Sequence, residues 1–165
     1  MDIHIFWQGP WGLDKLQNLM DNEKDYGVYQ IYGCHPLYGH SVLLYIGKAV
    51  DQTFGQRISQ ENWEETEDGE NIEIYVGRIA SRKTISSKDW DEVIDKAEKL
   101  LIFAHAPAYN TQNTRSLPER RVMENRIFNW DRQRDLFPEV SGYRYTSRFD
   151  HIWDEHIVTT RRIKS

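Results

Sequence analysis

Two apolar runs flank a turn-rich insert between Gly27 and Ala49, and this pattern restricts the possible folds more than any other stretch of the chain. The runs carry the triplets Gly27-Val28-Tyr29 and Tyr45-Ile46-Gly47, with Gly33-Cys34-His35-Pro36-Leu37-Tyr38-Gly39-His40-Ser41 between them. Gly and Pro punctuate that insert, so the spacing predicts strands over residues 27–32 and 42–47 joined by a long hairpin loop. Each triplet couples a Gly, which permits close backbone approach, to a Tyr, whose hydroxyl donates, accepts or ionises. Two phenols on neighbouring strands gain chemical interest once Lys48, Arg57 and Glu98 are added to them.

The flanking segments predict the elements that deliver those groups. Residues 2–7 alternate polar and apolar, a half-buried strand that Gln8-Gly9-Pro10 ends. Leu13, Leu16 and Met20 suggest a short amphipathic helix. Phe54 and Ile58, four apart, share one helix face with Arg57 beside it. Residues 61–73 hold Glu61, Glu64, Glu65, Glu67, Asp68, Glu70 and Glu73 with no Lys or Arg, the pattern of a solvated loop. Ile72, Ile74 and Val76 alternate as a strand. Ser86 and Asp89 form a capping-box pattern ahead of the helical stripe Trp90, Val93, Ile94, Ala97, Leu100, Leu101 and Ala104, which Pro107 stops. Glu98 lies at the edge of that stripe, either as a helix-surface charge or as a carboxylate aimed into a cleft. Beyond it, Pro118 to Trp130 predicts a helix with Val122, Ile127 and Trp130 inward, and Tyr143 to Phe149 alternates like an edge strand.

The chain has 165 residues, 39% hydrophobic and 28% charged, the make-up of one globular domain. It contains no apolar run long enough to span a bilayer, and its first residues lack the basic flank of a signal peptide, so a cytoplasmic protein with no membrane partner is expected. Cys34 is the only cysteine, which leaves no internal disulfide and no Cys-rich zinc site. His35 with His40, and His151 with His156, are five apart, a gap that places neither pair on one helix face, and they are expected as surface histidines. The net charge of −5 argues against a surface built mainly to hold nucleic acid. That charge is unevenly spread, however. Residues 1–114 hold 10 Lys and Arg against 18 Asp and Glu, whereas residues 115–165 hold 11 against 8, ten of the eleven being Arg. This basic end is either a polyanion contact, for which the Arg fork is suited, or ordinary solvated surface.

Gly27-Val28-Tyr29, Tyr45-Ile46-Gly47, Arg57, Glu98 and Asn110, in that order and on those elements, resemble the motifs of the GIY-YIG nucleases. The resemblance covers residues 25–112, and Tyr45-Ile46-Gly47-Lys48-Ala49 is most similar to the N-terminal nuclease domain of UvrC-type excision-repair endonucleases. It implies an α+β fold, with a central, largely antiparallel sheet flanked by helices. The extensions, residues 1–24 and the Arg-rich 113–165, are expected to pack on the same domain. Some family members carry a His one helical turn after the Arg; Glu61 stands at that position here. Its absence leaves the tyrosines and Lys48 as base chemistry, and Glu61 is expected to neutralise Arg57 in part.

What the resemblance implies for function is a metal-dependent endonuclease that hydrolyses DNA phosphodiester bonds. Glu98 would hold one Mg²⁺ or Mn²⁺, which keeps most of its waters and supplies Lewis-acid chemistry. Arg57 would clamp a nonbridging phosphate oxygen. Tyr45 is favoured as base and Tyr29 as the group that positions water or phosphate, their ionisation being promoted by Lys48, Arg57 and the metal. Asn110 is expected to fix the end of the Glu98 helix. DNA is the expected partner, with a protein that supplies further DNA-binding surface as a second. The alternative is a catalytically silent nuclease-fold module that binds nucleic acid or a protein.

Overall fold

The computed structural model describes residues 1–61, 63, 71–80 and 87–145. The strands are β1 Asp2–Trp11, β2 Gly27–His35, β3 Gly39–Ala49, β4 Glu73–Ala80, β5 Arg126–Asp131 and β6 Glu139–Ser141. The helices are α1 Phe54–Ser59, α2 Ser87–His105 and the single turn α3 Arg120–Met123. Together they make an α+β arrangement around one six-stranded mixed sheet, ordered β3-β2-β4-β1-β5-β6. Neighbours run antiparallel except β1 and β5. Both extensions therefore contribute strands to the sheet itself, β1 from one and β5 and β6 from the other. None of the described helices is long and apolar enough to cross a membrane.

Alternation along the strands sends side chains to two cores. On one face Ile5, Trp7, Val28, Ile46 and Ile127 meet Ile94, Ala97, Leu100 and Leu101 of α2, so the predicted stripe is the buried face of that helix. On the other, Tyr29, Ile31, Leu44, Ile74 and Val76 meet Phe54 and Ile58 of α1 and Leu16 and Leu19. Burying side chains of this size contributes about 1.5–3 kcal/mol each before chain entropy is charged against it.

Several local expectations are corrected. β1 does not stop at Gln8-Gly9-Pro10: the chain bulges between Gln8 and Trp11 and then pairs again, an irregularity suited to a Pro that has no N–H to give the ladder. The first helix is a 3-10 helix, Leu13–Leu19, and it buries Leu19 rather than Met20. Leu13, Leu16 and Leu19 recur every three residues, which is the 3-10 period. The insert between the triplets is mostly strand, because bulges near Tyr32 and between Gly33 and His35 absorb the irregularity and only residues 36–38 turn.

The predicted helix over 118–130 survives only as α3, since residues 126–131 form β5 alongside β1. There Ile127 and Asn129 are buried, whereas Trp130 is 45% exposed and donates from its indole nitrogen to His4 Nδ1 at 3.1 Å. The second side of β1 supplies backbone partners that outweigh local helical spacing. The sheet edge is β6, and residues 142–145 form a 3-10 turn rather than the start of a strand. The acidic residues 64–70, the cap residue Ser86, and residues 146–165, including His151 and His156, lie outside the described residues.

Candidate active site

Three elements converge at the C-terminal end of β3. α1 lies against one face of the sheet and α2 against the other, and both reach the edge of β3. The start of α1 is fixed by Thr53, whose hydroxyl accepts from the Gln56 N–H while the Gln56 side chain accepts from the Thr53 N–H at 3.1 Å. The Phe54 N–H donates to the carbonyl of buried Asp25 at 2.8 Å, and Arg78 is paired with the same Asp25. Because Phe54 and Ile58 are fully buried, Arg57 is left on the flank of α1 that faces β3. Burial of Ile94, Ala97 and Leu101 likewise puts Glu98 at the margin of α2, its side chain 14% exposed.

Tyr45, Lys48, Arg57 and Glu98 line one cleft of about 600 Å³, completed by Val50, Asp51, Gln52 and Gln60. Tyr29 lies behind them. Its ring centre is 6.1 Å from that of Tyr45, it is fully buried, and its hydroxyl has no hydrogen-bond partner among the described residues. The motif glycines have steric causes. A Cβ on Gly47 would sit 2.5 Å from Tyr29 Cζ, and one on Gly27, at φ +144°, would strike the Gly77 carbonyl. Gly47 thus makes room for the Tyr29 ring, and Gly27 for the crossing of β2 and β4.

Asn110 is placed differently from expectation. It holds β3 rather than the end of α2: its Oδ1 accepts from Ile46 N at 2.9 Å and its Nδ2 donates to Ile46 O at 2.9 Å. The Ala108 and Tyr109 N–H groups donate to Leu43 and Leu44 carbonyls. The chain after α2 therefore covers the outer edge of β3 and fixes the backbone between Tyr45 and Gly47.

The cations are paired rather than free to ionise the phenols. Lys48 Nζ is 2.5 Å from Asp95 Oδ1 and 3.0 Å from Glu98 Oε2, and Arg57 Nη1 is 2.7 Å from Glu61 Oε1. Burial raises the Tyr29 hydroxyl well above the ordinary phenol value, against the pull of Arg57. Burial also raises Tyr45, with Glu98 and Glu61 adding to it and Arg57 and Lys48 opposing. The expected promotion of the phenolate is thus reversed in the resting protein, chiefly by burial and further because each cation comes with a carboxylate. Lys48 is no base either. Burial disfavours its charge, but hydrogen bonds to Asp95 and Glu98 outweigh that and raise its pKa. Arg57 is raised too, burial being overcome by Tyr29 and Glu61.

Burial raises the Glu98 carboxyl, with Lys48 working against it. A largely desolvated carboxylate at a cleft margin suits a hard cation that keeps most of its waters and takes one or two protein oxygens. The residues present fit such an ion through Glu98, although among the described residues no three His, Cys, Asp or Glu side chains converge. Sequence reasoning missed Asp95, which also binds Lys99 at 2.8 Å. Its signal was available: three residues before Glu98, it shares that residue's side of the helix. Trp63, packed on Tyr45 with ring centres 5.5 Å apart, had no such signal.

No family model matches the chain, and neither a curated protein nor a solved structure matches it.

Proposed function

We propose that the protein is a metal-dependent endonuclease of the GIY-YIG type that hydrolyses DNA phosphodiester bonds at the cleft between β3, α1 and α2. The observation that supports this reading best is the meeting of Tyr45, Lys48, Arg57 and Glu98, drawn from three separate elements, on one polar cleft. In this reading Arg57 exchanges Glu61 for a nonbridging phosphate oxygen, a contact its fork geometry favours. Glu98 holds one Mg²⁺ or Mn²⁺, which supplies Lewis-acid stabilisation of the phosphate and departing oxygen. Tyr45 orients the attacking water and takes its proton, a role in which Arg57 and Lys48 act against the burial and the Glu98 and Glu61 charges that raise the phenol. Tyr29, screened from solvent behind the cleft, keeps the Tyr45 ring in place and does not reach the phosphate.

The test is incubation of the purified protein with supercoiled plasmid and Mg²⁺ or Mn²⁺, beside Glu98→Ala and Arg57→Ala. Wild type is expected to nick or linearise the plasmid, and each variant to lose about 100-fold or more of that rate, the usual effect of removing a charge-stabilising group. Undiminished cutting by Glu98→Ala would refute the reading. The second reading, a silent nuclease-fold module that binds nucleic acid or a protein, is favoured by the Arg57–Glu61 pair, which occupies the phosphate clamp. Under it the protein binds DNA in a salt-dependent way and never cuts with either metal.

A further inference from the structure

We infer that Asp95 is the charge-balancing residue of the cleft: by engaging both Lys48 and Lys99 it leaves Glu98 able to accept a divalent cation. The inference rests on the reading of Glu98 as the cation-holding carboxylate. Asp95 uses one oxygen on Lys48 at 2.5 Å and the other on Lys99 at 2.8 Å. Glu98 shares only Lys48, at the longer distance of 3.0 Å. Lys48 is thus suspended between two carboxylates and held more closely by the one that does not line the cleft. Residues 98 and 99 each lie one helical turn after Asp95 on α2, so its charge acts directly on theirs. With Asp95 present the two lysines and two carboxylates cancel. Without it, the ammonium groups of Lys48 and Lys99 face the single carboxylate of Glu98, and an arriving dication competes with a Lys48 that has no other carboxylate partner.

The magnitude follows from charge and distance. Deleting one negative charge roughly 6 Å from a dication weakens binding by about tenfold even when screening is close to that of bulk water, and by more in a partly buried cleft. Asp95 is a positioning residue, acting through Lys48, and the cleft lining does not include it.

The experiment is Mn²⁺ binding, read from the electron paramagnetic resonance of the free ion, for wild type, Glu98→Gln, Asp95→Asn, Lys99→Met and the double variant Asp95→Asn/Lys48→Met, each checked for folding by circular dichroism. Wild type binds one ion and Glu98→Gln loses it. Asp95→Asn weakens binding about tenfold or more, and adding Lys48→Met restores it to within about threefold of wild type. Lys99→Met, which frees Asp95 for Lys48 alone, tightens binding, and it carries the test by itself should Asp95→Asn fail to fold. Wild-type affinity in Asp95→Asn, no recovery in the double variant, or unchanged affinity in Lys99→Met overturns the inference. Retention of the ion by Glu98→Gln instead overturns the reading of Glu98, and the inference with it.

Discussion

Replacing Gly47 with Ala is the sharpest test of how the two triplets fit together. The added carbon would lie 2.5 Å from both Cζ and the hydroxyl of Tyr29 and 2.7 Å from Cε1 of Tyr45, well inside van der Waals contact. The Tyr29 ring has no room to yield. Tyr29 is fully buried, and the β3 backbone is paired to β2 through Tyr29 and Gly47 on one side and clamped at Ile46 by Asn110 on the other. Forcing a methyl group into such a site costs about 1–3 kcal/mol. Removing a strand glycine returns about 0.5–1 kcal/mol of backbone entropy. Central values leave a net destabilisation of about 1–1.5 kcal/mol, which for a chain of this size lowers the melting temperature by roughly 2–6 °C. Thermal unfolding followed by circular dichroism measures it. The companion Tyr29→Phe removes a buried hydroxyl that has no described partner, so it is expected to leave stability unchanged or raise it by about 1 kcal/mol. In the double variant it should recover part of the loss. A Gly47→Ala protein melting within about 1 °C of wild type would refute the claim that the triplet glycine exists for the Tyr29 ring.

Two further outcomes are expected. Glu61→Gln frees Arg57; since both side chains are about one-third exposed, stability changes by under about 0.5 kcal/mol, while affinity for a fluorescent DNA duplex rises about threefold at low salt. Unchanged or weaker anisotropy-measured binding would show that Glu61 is not the competitor. His105 accepts from Phe137 N at Nε2 and donates from Nδ1 to Leu101 O, each at 2.9 Å, and burial holds its pKa below the usual 6.5. The unfolded imidazole therefore takes up a proton at higher pH than the folded one. Its contribution is complete above about pH 6.5 and is lost as pH falls through the folded value. Urea midpoints should drop between about pH 7.5 and 5.5 in wild type and stay flatter in His105→Gln; parallel curves would sink the assignment.

Much of the local structure was legible because it depends on neighbours in sequence. Phe54, Ile58 and the α2 stripe announce helix faces whose buried sides leave Arg57 and Glu98 where they stand. Gly and Pro in the insert misled, because a bulged strand tolerates them as readily as a loop does. Residues 126–131 misled for another reason: their strand state is imposed by β1, a partner far away in sequence, and no local period records that. The candidate site was legible as a list of motif residues but not as an electrostatic unit. Spacing names Lys48, Arg57 and Glu98, whereas the pairing of Lys48 with Asp95, which decides how much charge the cleft presents, exists only after β3 meets α2.

The place of β1 between β4 and β5 also bears on how the chain reaches its native state. β2, β3 and α1 can assemble from adjacent sequence. β1 is made first, yet Ile5 finds its partners at Ile79 and Asn129. During synthesis the edge of β1 that pairs with β5 stays unpaired until residues 126–131 have left the ribosome, and closing so long a loop slows the last step of sheet formation. For that interval β1 keeps one open edge, and the nascent chain is most prone to chaperone capture or to pairing with another copy.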